Sequence, residues 1–268
     1  MKALRPLAVL ALSLFAAAAA QAHKSWLMPS ATVLTQDQWI TVDAAVSNDL
    51  FYFNHVPLRL DSLQITAPDG SAPQPENPFT GKFRSSFDLH LDKPGTYKLA
   101  LVNSGLFASY ELNGEKKRWR GKAEDMAKEI PADAKNVEIT QSAGRVETFA
   151  TAGAPNDTAL KPTGKGLELV PVTHPNDLFA GEAAKFRFTL DGKPAADLAV
   201  EIVPGGSRWR NAQNEIALKT DKNGEISVTW PAAGMYWLES TLQDKNVTVP
   251  KATSRRASYV ATFEVLAQ

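Results

Sequence analysis

The chain holds 268 residues, 44% of them hydrophobic, with 29 basic residues against 29 acidic ones and no cysteine. The lack of cysteine removes disulfides, thiol catalysis and Cys-type zinc sites in one step. Balanced charge without a long basic run speaks against nucleic acid as a partner and gives no sign of an anionic-membrane surface.

In chain order, the first predicted element is a leader. Lys2 and Arg5 form a short basic region, residues 7–20 are an uninterrupted run of Leu, Ala, Val, Ser and Phe, and Ala20-Gln21-Ala22 offers the small residues a signal peptidase needs. The run of about 14 residues is short of the roughly 20 that cross a bilayer, so 1–22 reads as a cleaved signal and the product as not membrane-spanning. Without Cys there is no bacterial lipid attachment point either. The expectation is a periplasmic protein, long enough to bury two cores.

From residue 23 onward turn signals are frequent and helical patterns rare. Pro68-Asp69-Gly70, Lys93-Pro94-Gly95, Asp191-Gly192-Lys193-Pro194 and Asp221-Lys222-Asn223-Gly224 punctuate the chain. Between them lie short segments such as Phe186-Arg187-Phe188-Thr189-Leu190, alternating apolar and polar residues with the period of a half-buried strand. One helix is predicted over 123–130, stopped by Pro131, with Met126 and Ile130 turned to the core. Residues 153–166 are rich in Gly and Pro and poor in large apolar side chains.

One repeat stands out. Phe87-Asp88-Leu89-His90-Leu91 followed by Gly95-Thr96-Tyr97 matches Ile226-Ser227-Val228-Thr229-Trp230 followed by Gly234-Met235-Tyr236. In both copies a strand enters a Gly turn and a Tyr opens the next strand, as in the tyrosine corner of immunoglobulin-like sandwiches. The expected fold is therefore all-β. It has an N-terminal β-sandwich over 23–153 with one short helical insertion, a linker over 154–165, and a C-terminal immunoglobulin-like β-sandwich over 166–268.

These residues resemble a known family. His23-Lys24-Ser25-Trp26-Leu27-Met28-Pro29 is similar to its opening pattern, and Phe53-Asn54-His55-Val56-Pro57-Leu58 and Glu129-Ile130-Pro131-Ala132 to its first domain. Gly166-Leu167-Glu168-Leu169-Val170-Pro171 and Thr220-Asp221-Lys222-Asn223-Gly224 are similar to its second. The chain is thus identified as a member of the periplasmic family of unknown function DUF4198, sometimes labelled nickel-uptake NikM-like. The resemblance implies two immunoglobulin-like or carbohydrate-binding-like β-domains. It also implies a link to metal uptake, with a TonB-dependent receptor or another envelope transporter as partner.

The sharpest chemical feature is what cleavage after Ala22 exposes. His23 then carries a free α-amine beside its imidazole, and the two can chelate one transition metal. A second His completes a three-nitrogen site that suits copper or nickel, with copper favoured by the Irving–Williams order. His55, in an aromatic segment ending at Pro57, and His174, just after the linker, are the candidate third donors. A packed or turn histidine is the plain alternative for each. His90 is expected on the polar face of its strand, Asp49 in a turn, and Met28 in the core rather than on a metal.

A second feature is Gly205-Gly206-Ser207-Arg208-Trp209-Arg210. Arg208, Trp209 and Arg210 can stack on a sugar or bind acidic groups on a partner protein. Arg side chains lying over a partly buried Trp are the commoner arrangement. Lys116-Lys117-Arg118-Trp119-Arg120 reads as a solvated basic hairpin. No Gly-x-Ser-x-Gly, His-Glu-x-x-His, phosphate-loop or dinucleotide motif is present. The sequence therefore points to a non-enzymatic metal-binding accessory protein without an organic cofactor. A sugar- or protein-binding module is its first rival and a histidine-brace copper oxidase its second.

Overall fold

The structure, a computed structural model, describes residues 23–268; the expected leader over 1–22 lies outside the described residues. The first half contains β1 (Lys24–Pro29), β2 (Val33–Leu34), β3 (Gln38–Ser47), β4 (Val56–Pro57), β5 (Leu63–Thr66) and β6 (Glu76–Thr80). It continues through β7 (Ser85–Leu91), β8 (Gly95–Leu112), β9 (Glu115–Gly121), α1 (Ala123–Glu129) and β10 (Lys135–Ala152). The second half contains β11 (Leu167–Pro171), β12 (Ala183–Leu190), β13 (Lys193–Pro194), β14 (Ala199–Pro204) and β15 (Ile216–Lys219). It ends with β16 (Glu225–Thr229), β17 (Gly234–Asp244) and β18 (Ser254–Val265). The chain is an all-β protein with one short helix, as its turn spacing predicts.

The strands form three sheets. A first outer sheet has the order β1-β3-β7-β6, with β4 also on β3. A central sheet runs β15-β14-β17-β18-β10-β8-β5, with β2 on β10 and β9 on β8. A second outer sheet runs β11-β12-β13, with β16 also on β12. The two sandwiches share the central sheet, because β10 of the first half pairs in parallel with β18 of the second over Thr140–Thr148 and Ser254–Thr262.

Side chains of the central strands alternate between two cores. Tyr236 and Leu238 belong to the core under the second outer sheet, with Tyr259, Ala261 and Phe149. Trp237, between them, belongs to the core under the first outer sheet, with Val260, Val146 and Ala150. Successive strand residues face opposite ways, so the two cores lie on opposite faces of one sheet.

This layering is close to a two-fold repeat. In the first half, β3 pairs with β1 and β7, and β7 leads into β8; in the second, β12 pairs with β11 and β16, and β16 leads into β17. β10 and β18 meet in the middle. A two-fold axis lying in the sheet along the strands keeps those two strands parallel and exchanges the faces, which is the observed placement of the outer sheets.

The repeated Tyr motif is the hinge of each half. The Tyr97 hydroxyl accepts the Lys93 N–H at 2.8 Å, and the Tyr236 hydroxyl donates to the Ala232 carbonyl at 2.8 Å. Each bonds back four residues, where the chain crosses from an outer sheet to the central one. Burial pushes the Tyr97 hydroxyl up to about 12. Gly95 opens the first crossing at φ 129, where a Cβ would meet the Pro68 Cβ at 2.5 Å.

Residues 153–166 carry no strand and lead from β10 to the second outer sheet. Their end is pinned by a buried charged group. The Glu168 carboxylate accepts from the Thr163 and Gly164 N–H groups at 2.9 and 2.7 Å, and Arg145 bonds to Glu147 at 3.0 Å. The Tyr259 hydroxyl donates to Glu147 at 2.8 Å, and burial holds that phenol protonated. In the first half, α1 lays Met126 against Leu106, Ala108 and Ile139, with Ile130 at the margin.

Candidate metal centre

The site begins at the end of β3. Lys24 pairs with Ser47 on one side of β3, and Val56 with Val46 on the other, so His23 and His55 leave from two strands that flank the same strand end. Between them the chain loops through residues 48–55. The Trp26 indole donates to the Ser47 hydroxyl at 2.9 Å, and that hydroxyl donates to the Asp49 carbonyl at 2.6 Å. Asn54 closes the loop, donating to Asp49 at 2.8 Å and accepting the Asn48 N–H at 3.0 Å. Phe51 and Phe53 fold back on Trp26, with ring centroids 5.5 and 5.3 Å away. The loop is therefore anchored by an aromatic cluster and its own polar side chains.

The result brings His23 and His55 together. Their rings stack with centroids 3.8 Å apart and planes 7° from parallel. His23 is exposed and His55 half-buried, and neither ring is hydrogen-bonded to another described residue. Two nitrogens bound to one ion at roughly 2.0–2.1 Å each stand at most about 4 Å apart, a separation within reach of rings this close. Lone pairs lie in the ring planes, however, and parallel planes do not converge on one point. Sharing an ion would require one ring to turn, and His23 is the more exposed of the two. Among the described residues no group of three His, Cys, Asp or Glu side chains could hold a metal. The His23 α-amine would be a further nitrogen only in a chain beginning at that residue.

His174 is not part of this site. Its Nδ1 accepts the Asn176 N–H at 3.2 Å, so Nε2 carries the proton and faces Thr96 Oγ1 at 3.0 Å. Thr96 Oγ1 meets Thr151 Oγ1 at 3.0 Å, and Thr151 donates to Asn176 Oδ1 at 2.9 Å. Each member of this closed ring is both donor and acceptor. Thr96 and Thr151 alternate with Tyr97 and Ala150, so they face the second outer sheet, whereas β1 lies in the first. His174 and His23 thus sit on opposite faces of the central sheet. Of the two histidines that the sequence offers as partners for His23, only His55 lies beside it. Desolvation lowers the His174 pKa, which keeps the ring neutral.

The other sequence candidates divide. Arg208 lies over the Tyr52 ring, 3.8 Å from its centroid, so it borders the loop that carries His55. Trp209 is 81% exposed in a single 3-10 turn, not partly buried beneath its Arg neighbours. Arg210 points inward, donating to the carbonyls of Pro204 at 2.8 Å and Gln213 at 3.0 Å as well as to Gly205. It is a clamp that shapes the loop rather than a ligand-facing group. Gly205 lets the two loops close, since a Cβ there would meet Phe51 at 3.1 Å. His90 stacks on Trp39 and bonds to Asp37 at 2.7 Å, Asp49 serves its loop, and Met28 packs at the edge of the core.

Sequence reasoning missed Lys24. Its ammonium sits 4.6 Å over the Trp237 ring, bonds to Gln213 and pairs with Glu201 at 3.3 Å, while Trp237 donates to the Ser25 carbonyl at 2.9 Å. These contacts hold the start of β1 onto the second half. No sequence signal marks them, because they join residues far apart in the chain.

Solved structures similar to this chain are remote. The D0-D1 domain of intimin shares 12% identity at a TM-score of 0.22, covering 88% of this chain and 96% of that one. The Escherichia coli adhesin FdeC shares 15% at a TM-score of 0.23, covering 90% of this chain and 64% of that one. Three N-terminal domains of the bacteriophage RB49 outer capsid protein Hoc share 10% at 0.20, covering 92% and 99%. No curated protein matches the chain. The pattern of the family described as a domain of unknown function, DUF4198, matches residues 20–244, and the chain belongs to that family.

Proposed function

We propose that this is a periplasmic accessory protein that binds a transition metal, nickel or copper, and passes it to an envelope uptake system such as a TonB-dependent receptor. The observation that carries the reading is the approach of the His23 and His55 rings to 3.8 Å on an anchored loop. With the His23 amine they make a three-nitrogen set, and such a set favours copper over nickel in intrinsic affinity. The metal-binding groups must lose protons, so binding weakens in acid.

The test has two parts. The intact mass of the exported protein gives its first residue, which the proposal requires to be His23. Titration of that protein with Cu(II) and Ni(II) then follows, and a dissociation constant below about micromolar, near 8 kcal/mol, is expected. A chain starting elsewhere, or no binding in that range, removes the proposal. A second reading, a sugar- or protein-binding surface, draws on the exposed Trp209 and the Arg208–Tyr52 stack. It predicts ligand-dependent quenching of Trp fluorescence that Trp209→Ala abolishes.

A further inference from the structure

The edge strand β9 carries a second, independent feature. Four of its seven residues, Lys116, Lys117, Arg118 and Arg120, are basic. Asn113 at φ 54 and Gly114 at φ 80 form a two-residue turn that closes on the pair Leu112 and Glu115. Such turns close on a hydrogen-bonded pair, and bonded and non-bonded pairs then alternate along the ladder. Lys117, Trp119 and Gly121 consequently exchange backbone bonds with β8. Lys116, Arg118 and Arg120 stand opposite Glu111, Ser109 and Phe107 in non-bonded pairs. Their N–H and C=O groups point away from β8, towards an edge that no other described strand occupies.

The same three residues share one face of the strand. Trp119, between them, packs on the other face with Met126 of α1. Lys116, Arg118 and Arg120 are exposed and stand about 6.7 Å apart along the strand. Lys117 is paired with Glu115, whereas among the described residues no carboxylate pairs with Lys116, Arg118 or Arg120. Arg120 lies over the exposed Phe107 ring at 5.1 Å. Free backbone groups and unpaired cations thus belong to the same residues, in the same repeat.

We propose that β9 is a docking edge for an extended acidic segment of a partner protein. The segment adds as a further strand, with Asp or Glu at alternate positions opposite Lys116, Arg118 and Arg120. Backbone bonds supply the pairing and the cross-strand ion pairs set the register. Cations on an edge also guard it against unwanted strands. A guarded edge and a selective one differ in what an acidic strand does there, so the distinction is open to experiment.

The full protein is titrated, by fluorescence anisotropy, with two labelled seven-residue peptides of identical composition. One alternates Glu with Val and Thr, and the other groups its three Glu together. The alternating peptide is expected to bind at least tenfold more tightly. N-methylation of its edge-facing amides, which keeps its charge, is expected to remove that advantage. Lys116→Glu with Arg118→Glu is expected to abolish binding, and Lys117→Glu to leave it unchanged. Equal binding of both peptides, or indifference to N-methylation, means that the strand attracts any polyanion, and overturns the proposal. Failure of both peptides to bind up to the millimolar range means a guarded edge, and overturns it as well.

Discussion

His55 and His174 are both half-buried histidines outside the strands, and they have opposite fates. His55 rests against His23 with its ring free of hydrogen bonds to described residues, on the side of the first outer sheet. His174 faces the second outer sheet, with both nitrogens committed to the ring through Thr96, Thr151 and Asn176. A histidine whose nitrogens are both used holds structure together; one left with lone pairs at a surface is available to a ligand. The difference comes from the neighbours, not from the residue.

The strongest way to break this contrast is to remove each histidine in turn. His55→Ala is expected to weaken Cu(II) binding by roughly 3 kcal/mol, about a hundredfold, with little change in stability. A single residue added before His23 should do the same by capping its amine. His174→Ala should leave metal affinity unchanged and lower stability by about 1–3 kcal/mol in urea unfolding, because Thr96 and Asn176 lose partners in a buried ring. If both variants lose metal, the separation by faces is wrong.

Acidity sharpens the comparison without mutation. The folded pKa of His174 is lowered from 6.5, first by desolvation, so below pH 6.5 the unfolded chain takes up the proton more readily. Stability contributed by the neutral ring is full above that value and declines as pH falls towards the folded pKa. Protonated Nδ1 would also point a donor at the Asn176 N–H. The slope of urea stability with pH below 6.5 should therefore flatten in His174→Ala. The smallest effects belong to the Arg–Trp loop. Trp209→Ala should change stability by less than about 0.5 kcal/mol, whereas Arg210→Ala should cost about 1–2 kcal/mol through its lost bonds to loop carbonyls.

Much of the fold was legible in the residues. The helix expected over 123–130 is found as Ala123–Glu129, and the alternating strands lie where periodicity and turn chemistry put them. Both Tyr corners follow from the repeat around Tyr97 and Tyr236. These are local features, written in residues a few positions apart. The site was legible only in part. The sequence named His23, His55 and His174 as donors, but could not choose between the last two. It also grouped Arg208, Trp209 and Arg210 together, although Arg210 turns inward and Trp209 outward.

The sequence by itself determined an all-β chain with a duplicated strand–turn–Tyr motif, because alternation and Gly turns act over a handful of residues. Only the tertiary structure decided that the two halves share one sheet. The pairing of Thr140 with Ser254, 114 residues on, fixes that contact, and no local pattern encodes it. Once β10 and β18 lie side by side, strand parity assigns each side chain to one of two opposite cores. That assignment sets His55 beside His23 and turns His174 to the far side.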